Sequence, residues 1–198
     1  MNIFDRARDI IIHPKEEWQT IKAEKTDIKA LFVNYAAPLA LIPSVAGLIG
    51  ITLVGISLPV GGIVRAPLLQ SLLGAVIGYV LNLAALFAVG WLVKVLAPVF
   101  KARADLAGSM KVVAYSMTPA WLVGIFSLVP GLGVLSILGL YGLYLLYLGL
   151  KEVLDTPAER VLLYTLAVIG LAIVVSFVFS IIMINFIYGP MYLRMMAY

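Results

Sequence analysis

Two groups of neutral polar and small residues carry whatever chemistry this chain can do. The first is Tyr115, Ser116, Thr118, Pro119 and Trp121. A proline inside an apolar helix leaves a carbonyl without its N–H partner, so a kink is expected near Pro119, with the Ser116 and Thr118 hydroxyls bonding the freed carbonyls. Such a kink beside Trp121 frames a cavity for lipid or substrate, or serves shape alone. The second is Gly74, Gly78 and Asn82. This is a small-xxx-small face continued one turn further by an amide able to bond across to another helix. Gly142 and Gly149 make another small stripe, and Tyr141, Tyr144 and Tyr147 step around an adjacent side as packing and interface anchors. Groups of this kind serve helix packing more readily than ligand binding.

Other chemistry is excluded by what is missing. A serine or threonine nucleophile needs an activating base. The single histidine, His13, lies outside the apolar runs, and those runs contain no carboxylate in their middles. There is no cysteine, hence no thiolate metal site and no disulfide, and one histidine cannot build a metal site alone. Gly131 and Gly133 begin a GxGxx pattern, but no strand precedes them and Ser136 stands where the next glycine is required, so a dinucleotide site is rejected. No catalytic residue, cofactor or metal ligand is expected. The formal charge of +4 is not a nucleic-acid footprint, because Lys and Arg flank the apolar runs and do not line one face.

The elements that position these residues are five long apolar runs, at roughly Leu31 to Leu58, Leu68 to Ala97, Leu106 to Val129, Leu132 to Leu150 and Val161 to Tyr188. Each is near or above the ~20 residues that cross ~30 Å of hydrocarbon. With 63% hydrophobic residues, 12% charged and a mean hydropathy of +1.09, the chain is far outside the soluble range. The fold class is all-α, a polytopic membrane protein of five transmembrane helices. Pro130-Gly131 leaves so little room that the third and fourth runs are antiparallel neighbours, and Pro38 and Pro43 interrupt the first. Thr156, Pro157 and Glu159 read as the N-cap, first and third positions of the last helix. Mid-span Asp, Glu, Arg and His are absent and Lys94 can snorkel, so a proton pump or charged pore is not expected.

Lys and Arg in short loops resist translocation. Twelve of the 14 lie on the side of the N-terminus, against Arg65 and Arg194 on the other, which places the N-terminus in the cytoplasm and the C-terminus outside a cell membrane. The first 30 residues are charged throughout and do not read as a cleavable leader. Residues 1–30 form a cytoplasmic interfacial segment, 31–188 the five-helix domain and 189–198 a short external tail. In the first segment Ile3, Phe4, Ala7, Ile10 and Ile11 recur at helical spacing among charges, which suits an amphipathic helix at the headgroup boundary. Pro14 then starts a second helix, with Trp18 and Ile21 on its membrane-facing side; these three are expected to anchor the interface.

Ala114-Tyr115-Ser116-Met117-Thr118-Pro119, the apolar run to Pro130, and Tyr144-Leu145-Leu146-Tyr147-Leu148-Gly149-Leu150 resemble the core of the Yip family of Ypt/Rab-interacting membrane proteins. His13-Pro14, Ile21 and Glu24 are similar to the N-terminal segment of its bacterial branch. The resemblance implies five spans and a cytoplasmic N-terminus. Ala114-Tyr115 replaces the family's Gly-Tyr pair and the long N-terminal region of eukaryotic members is missing, so Rab binding does not transfer. The reading that follows is a non-catalytic membrane organiser whose partners are membrane lipids, further copies of itself or other membrane proteins. The alternative is a passive channel or carrier for a neutral or apolar substrate, its path lined by Pro119, Trp121, Asn82 and the Tyr141 to Tyr147 face.

Overall fold

A computed structural model describes residues 2–58 and 62–183. It has five helices long and apolar enough to cross a membrane: Ile28–Val54, Leu68–Phe100, Leu106–Leu128, Gly131–Glu152 and Ala158–Met183, hereafter the first to fifth spans. Two short helices precede them, α1 (Ile3–Ile12) and α2 (Pro14–Ala23). Asn2 caps α1, Pro14 occupies the first turn of α2, and the Asp27 carboxylate accepts from Lys29 and Ala30 N–H at 3.3 Å to cap the first span.

The first span ends four residues short of the expected Leu58. Gly55, at φ +83°, turns the chain into strand β1 (Ile56–Leu58), which pairs antiparallel with β2 (Gly62–Val64). The two prolines do not break this span. A π-turn over Phe32–Ala36 precedes Pro38 and absorbs the lost backbone bond, and the helix Ala37–Ile49 runs on through Pro43. Gly124 of the third span accommodates that proline: a Cβ there would stand 2.6 Å from Pro43 Cβ. The expected fifth span continued to Tyr188; residues 184–198, with the expected tail, lie outside the described residues.

The third span is the axis of the bundle. Every residue from Gly108 to Ser116 is buried, and the span packs on the first, second and fourth. Its contact with the fourth is the antiparallel neighbourhood that the Pro130-Gly131 turn predicts. The fourth span changes character midway, from a 3-10 helix over Pro130–Leu140 to an α-helix over Tyr141–Glu152. Thr156 does not cap the fifth span. Its hydroxyl bonds back to the Leu150 carbonyl at 2.6 Å, closing the preceding helix.

The side that Trp18 and Ile21 face differs from the expected one. α1 and α2 form an antiparallel hairpin with α2 laid along the α-helical half of the fourth span. Ile10, Trp18 and Ile21, placed by their periodicity on a lipid-facing side, are fully buried against the bundle. An amphipathic stripe states only that one face leaves water; the recess at Gly149 makes protein the better cover.

Candidate functional site

The third-span break falls at Met117, between the α-helices Leu106–Ser116 and Thr118–Val123, with Pro119 in the first turn of the second. The kink is where Pro119 places it, but its hydroxyls do other work than expected. Thr118 Oγ1 pairs with Tyr35 Oη at 2.7 Å, tying the kink to the first span, and the buried Ser116 Oγ makes no hydrogen bond. The Ser116 carbonyl meets Gly142, where a Cβ would stand 2.5 Å from it; the glycine is what lets the third and fourth spans close at the kink. Tyr115 stacks edge-on to Tyr35 at 4.6 Å and to Trp18 at 6.2 Å between ring centroids. On the far side of the kink the buried Trp121 donates its indole N–H to Asn82 Oδ1 at 3.0 Å, so the amide does bond across, from the second span to the third.

Two lateral clefts flank this axis. One, of about 400 Å³, lies among the first, second and fifth spans and is lined by Pro43, Gly47, Gly74, Gly78, Asn82 and Met183. Gly78 is open enough there that an added Cβ would meet Met183 Cε at an ordinary 3.6 Å. The other, of about 450 Å³, runs between the third, fourth and fifth spans past Ser116, Ala120, Gly142, Ala172 and Ser176. Of the expected carrier path, Asn82 and Trp121 are hydrogen-bonded to each other. Neither of the two clefts that Asn82 lines includes Pro119, Trp121 or the Tyr141 to Tyr147 face, and the Tyr141 hydroxyl donates to the Ile11 carbonyl at 3.0 Å.

Sequence reasoning missed an ionic cluster where the hairpin meets the bundle. Arg6 is ion-paired to both Glu17 and Glu24 across the hairpin, and its guanidinium lies 5.5 Å from the Tyr115 ring centroid. Burial works against the Arg6 charge, but the bond to Glu24 and the fields of Tyr115, Glu17 and Glu24 hold its pKa above the ordinary arginine value. Lys111, five residues into the third span, is buried and donates to the carbonyls of Ile21 at 2.6 Å and Glu24 at 3.0 Å, capping the end of α2. The signal was available: a lysine inside an apolar run requires a partner, and Glu17 and Glu24 are two helical turns apart, on one face. Among the described residues no group of three or more His, Cys, Asp or Glu is placed to hold a metal ion.

The Yip1 domain family matches this chain over residues 8–189. The inner membrane protein YohC of Escherichia coli K12 is 30% identical over 118 residues, and so is YohC of Escherichia coli O6:H1. The match covers 60% of this chain and 60% of those relatives' length. No solved structure matches.

Proposed function

The chain belongs to the Yip1-domain family, and from that premise we propose a non-catalytic organiser of a bacterial inner membrane. It binds lipids or other membrane proteins through the lateral clefts, further copies of itself being one such partner. The observation that carries this reading is the cleft at Gly74 and Gly78, a small-residue face lined by three spans and left without a side chain to fill it. Small residues admit an acyl chain or a helix backbone to close range, and van der Waals contact is the main attraction available in hydrocarbon. In the described spans the charged residues all lie within about two helical turns of an end, and the buried Lys111 among them is held by the carbonyls of α2. No acid or base stands in the middle of a described span, where proton transfer or nucleophilic attack within the bilayer needs one. Twelve of the 14 Lys and Arg lie on the hairpin side, which supports a cytoplasmic placement of that side.

The test is lipid retention by the purified protein. Native mass spectrometry should find phospholipid bound to the wild type and less bound to Gly78→Leu, whose side chain enters the cleft. Equal retention by both sinks the cleft reading. Solute flux in liposomes should equal that of empty vesicles; saturable flux of one solute would establish the carrier alternative.

A further inference from the structure

The N-terminal hairpin and the long spans make incompatible demands on a flat bilayer. The Tyr141 hydroxyl holds the Ile11 carbonyl at 3.0 Å, and Tyr141 opens a helix of 12 residues whose other end carries Lys151 and Glu152. The tip of the hairpin therefore sits about 18 Å along that helix from its charged end. The outward face at and near this tip is polar: Arg8, His13, Lys15, Glu16 and Gln19 are exposed, beside an exposed Ile12. At the charged end, the Arg103 N–H bonds the Leu154 carbonyl at 2.8 Å and Arg160 bonds the Val99 carbonyl at 3.1 Å, bringing the end of the second span level with it. Just inside that end the surface is largely apolar apart from the exposed Lys94, whose long side chain can snorkel to the boundary. Trp91, Val95 and Val99 on the second span and Leu162 and Leu163 on the fifth are half exposed or more, Val99 at 62%.

Beyond the hairpin tip the fourth span offers only its 3-10 segment, 11 residues with Val134, Ile137 and Leu140 exposed, about 22 Å long at ~2 Å per residue. The α-helix of the second span has 29 residues, about 43 Å. Hydrocarbon is ~30 Å thick, so it is too thick for one side of this protein and too thin for an upright helix on the other. Sinking Arg8 and Lys15 into hydrocarbon is the most expensive remedy and stripping lipid from Val99, Leu162 and Leu163 the next, whereas bending the bilayer costs only a fraction of a kilocalorie per mole for each ångström. We propose that the bilayer is thinned where it meets the N-terminal hairpin, its boundary drawn to the level of Tyr141 there while it reaches Val99 on the second span. A tilt of the whole bundle would level that boundary without lengthening the 3-10 segment. The thinning does not depend on what the lateral clefts bind.

The chain has no cysteine, so single-cysteine variants can be spin-labelled cleanly. Ile12→Cys, Val99→Cys, Leu132→Cys and Ile137→Cys are placed in vesicles of dioleoyl phosphatidylcholine and dioleoyl phosphatidylglycerol, and each label's accessibility to oxygen and to a water-soluble nickel chelate is measured. The label at 12 should favour nickel, those at 99 and 137 oxygen, and that at 132 should sit at the boundary between the two. A label at 12 that reads as hydrocarbon, or one at 99 that reads as water, overturns the proposal. So does a label at 132 as deep as the one at 137, which is the signature of a tilted bundle in an unthinned bilayer.

Discussion

The Trp18 ring lies over Gly149 so closely that a Cβ on the glycine would stand 2.8 Å from Trp18 Cζ2 and 3.1 Å from Val112 Cγ1. Both neighbours are fully buried, so neither can swing away. Gly149→Ala should cost about 1–3 kcal/mol by overpacking, expressed as loosening of the hairpin. Thermal unfolding in detergent should show a lowered Tm, and trypsin should cut at Lys15 and Lys22 sooner than in the wild type. An unchanged cleavage pattern would mean that Trp18 does not dock the hairpin.

The ion pairs make a second demand. Arg6→Met leaves Glu17 buried with its partner gone, a change worth about 3–5 kcal/mol of destabilisation for a buried pair. Removing the acids as well, in Arg6→Met with Glu17→Met and Glu24→Gln, should recover most of that loss, because the penalty comes from the orphaned charge more than from the lost attraction. The Arg6 pKa is raised, so its stabilisation is complete below the ordinary arginine value and is lost only above the folded one. Trypsin sensitivity of the hairpin should therefore be flat from about pH 7 to about pH 10 once corrected for the protease's own pH profile. A rise in cleavage within that window would mean that some group other than Arg6 controls docking.

These two contacts also show what could be read without coordinates. Span count, the third-span kink and the Asn82 bond across helices follow from residue type, because hydrocarbon leaves a backbone few alternatives and an amide few partners. The docking of α1 and α2 does not. Ile10, Trp18 and Ile21 carry the same helical period whether they face lipid or the fourth span, and the difference lies in Gly149, 131 positions from Trp18, whose missing side chain makes the recess. Lys111 stands near a span end, where its charge alone reads as a flanking cation, and the carbonyls of Ile21 and Glu24 are what hold it buried. Ser116 and Thr118 read alike in sequence as hydroxyls beside a proline, and the position of Tyr35 separates them.

The Tyr35 to Thr118 hydroxyl pair joins the first span to the kink, and both groups are buried. Replacing one leaves the other without a partner, at about 1–3 kcal/mol, whereas replacing both with groups of similar shape is nearly neutral. Tyr35→Phe and Thr118→Val should each lower stability, and the double variant should fall well short of their sum. Additive losses would show that the two hydroxyls do not act together.

Orientation is checked by reporters at two sites. A phosphatase fused after Tyr198 should be active outside the cytoplasm, and a fluorescent protein inserted at Ala102, between the second and third spans, should report the cytoplasm. Swapped signals would reverse the topology that the Lys and Arg distribution favours, and the hairpin with it.

Asn82→Leu separates the two functional readings most directly. The substitution leaves the indole N–H of Trp121, 1% exposed, without an acceptor. Hydrogen bonds between membrane helices average only ~0.6 kcal/mol, because the separated helices find other partners. Trp121 has little such freedom at the packed kink, so the loss should lie nearer the 1–3 kcal/mol of an orphaned buried donor. Adding Trp121→Phe removes that orphan and should restore part of the stability. If Asn82 serves packing, as an organiser requires, the single variant will lower Tm in detergent and leave solute permeability of reconstituted liposomes at the empty-vesicle value. A solute flux present in the wild type and abolished by Asn82→Leu at unchanged Tm would make the amide part of a path and displace the organiser reading.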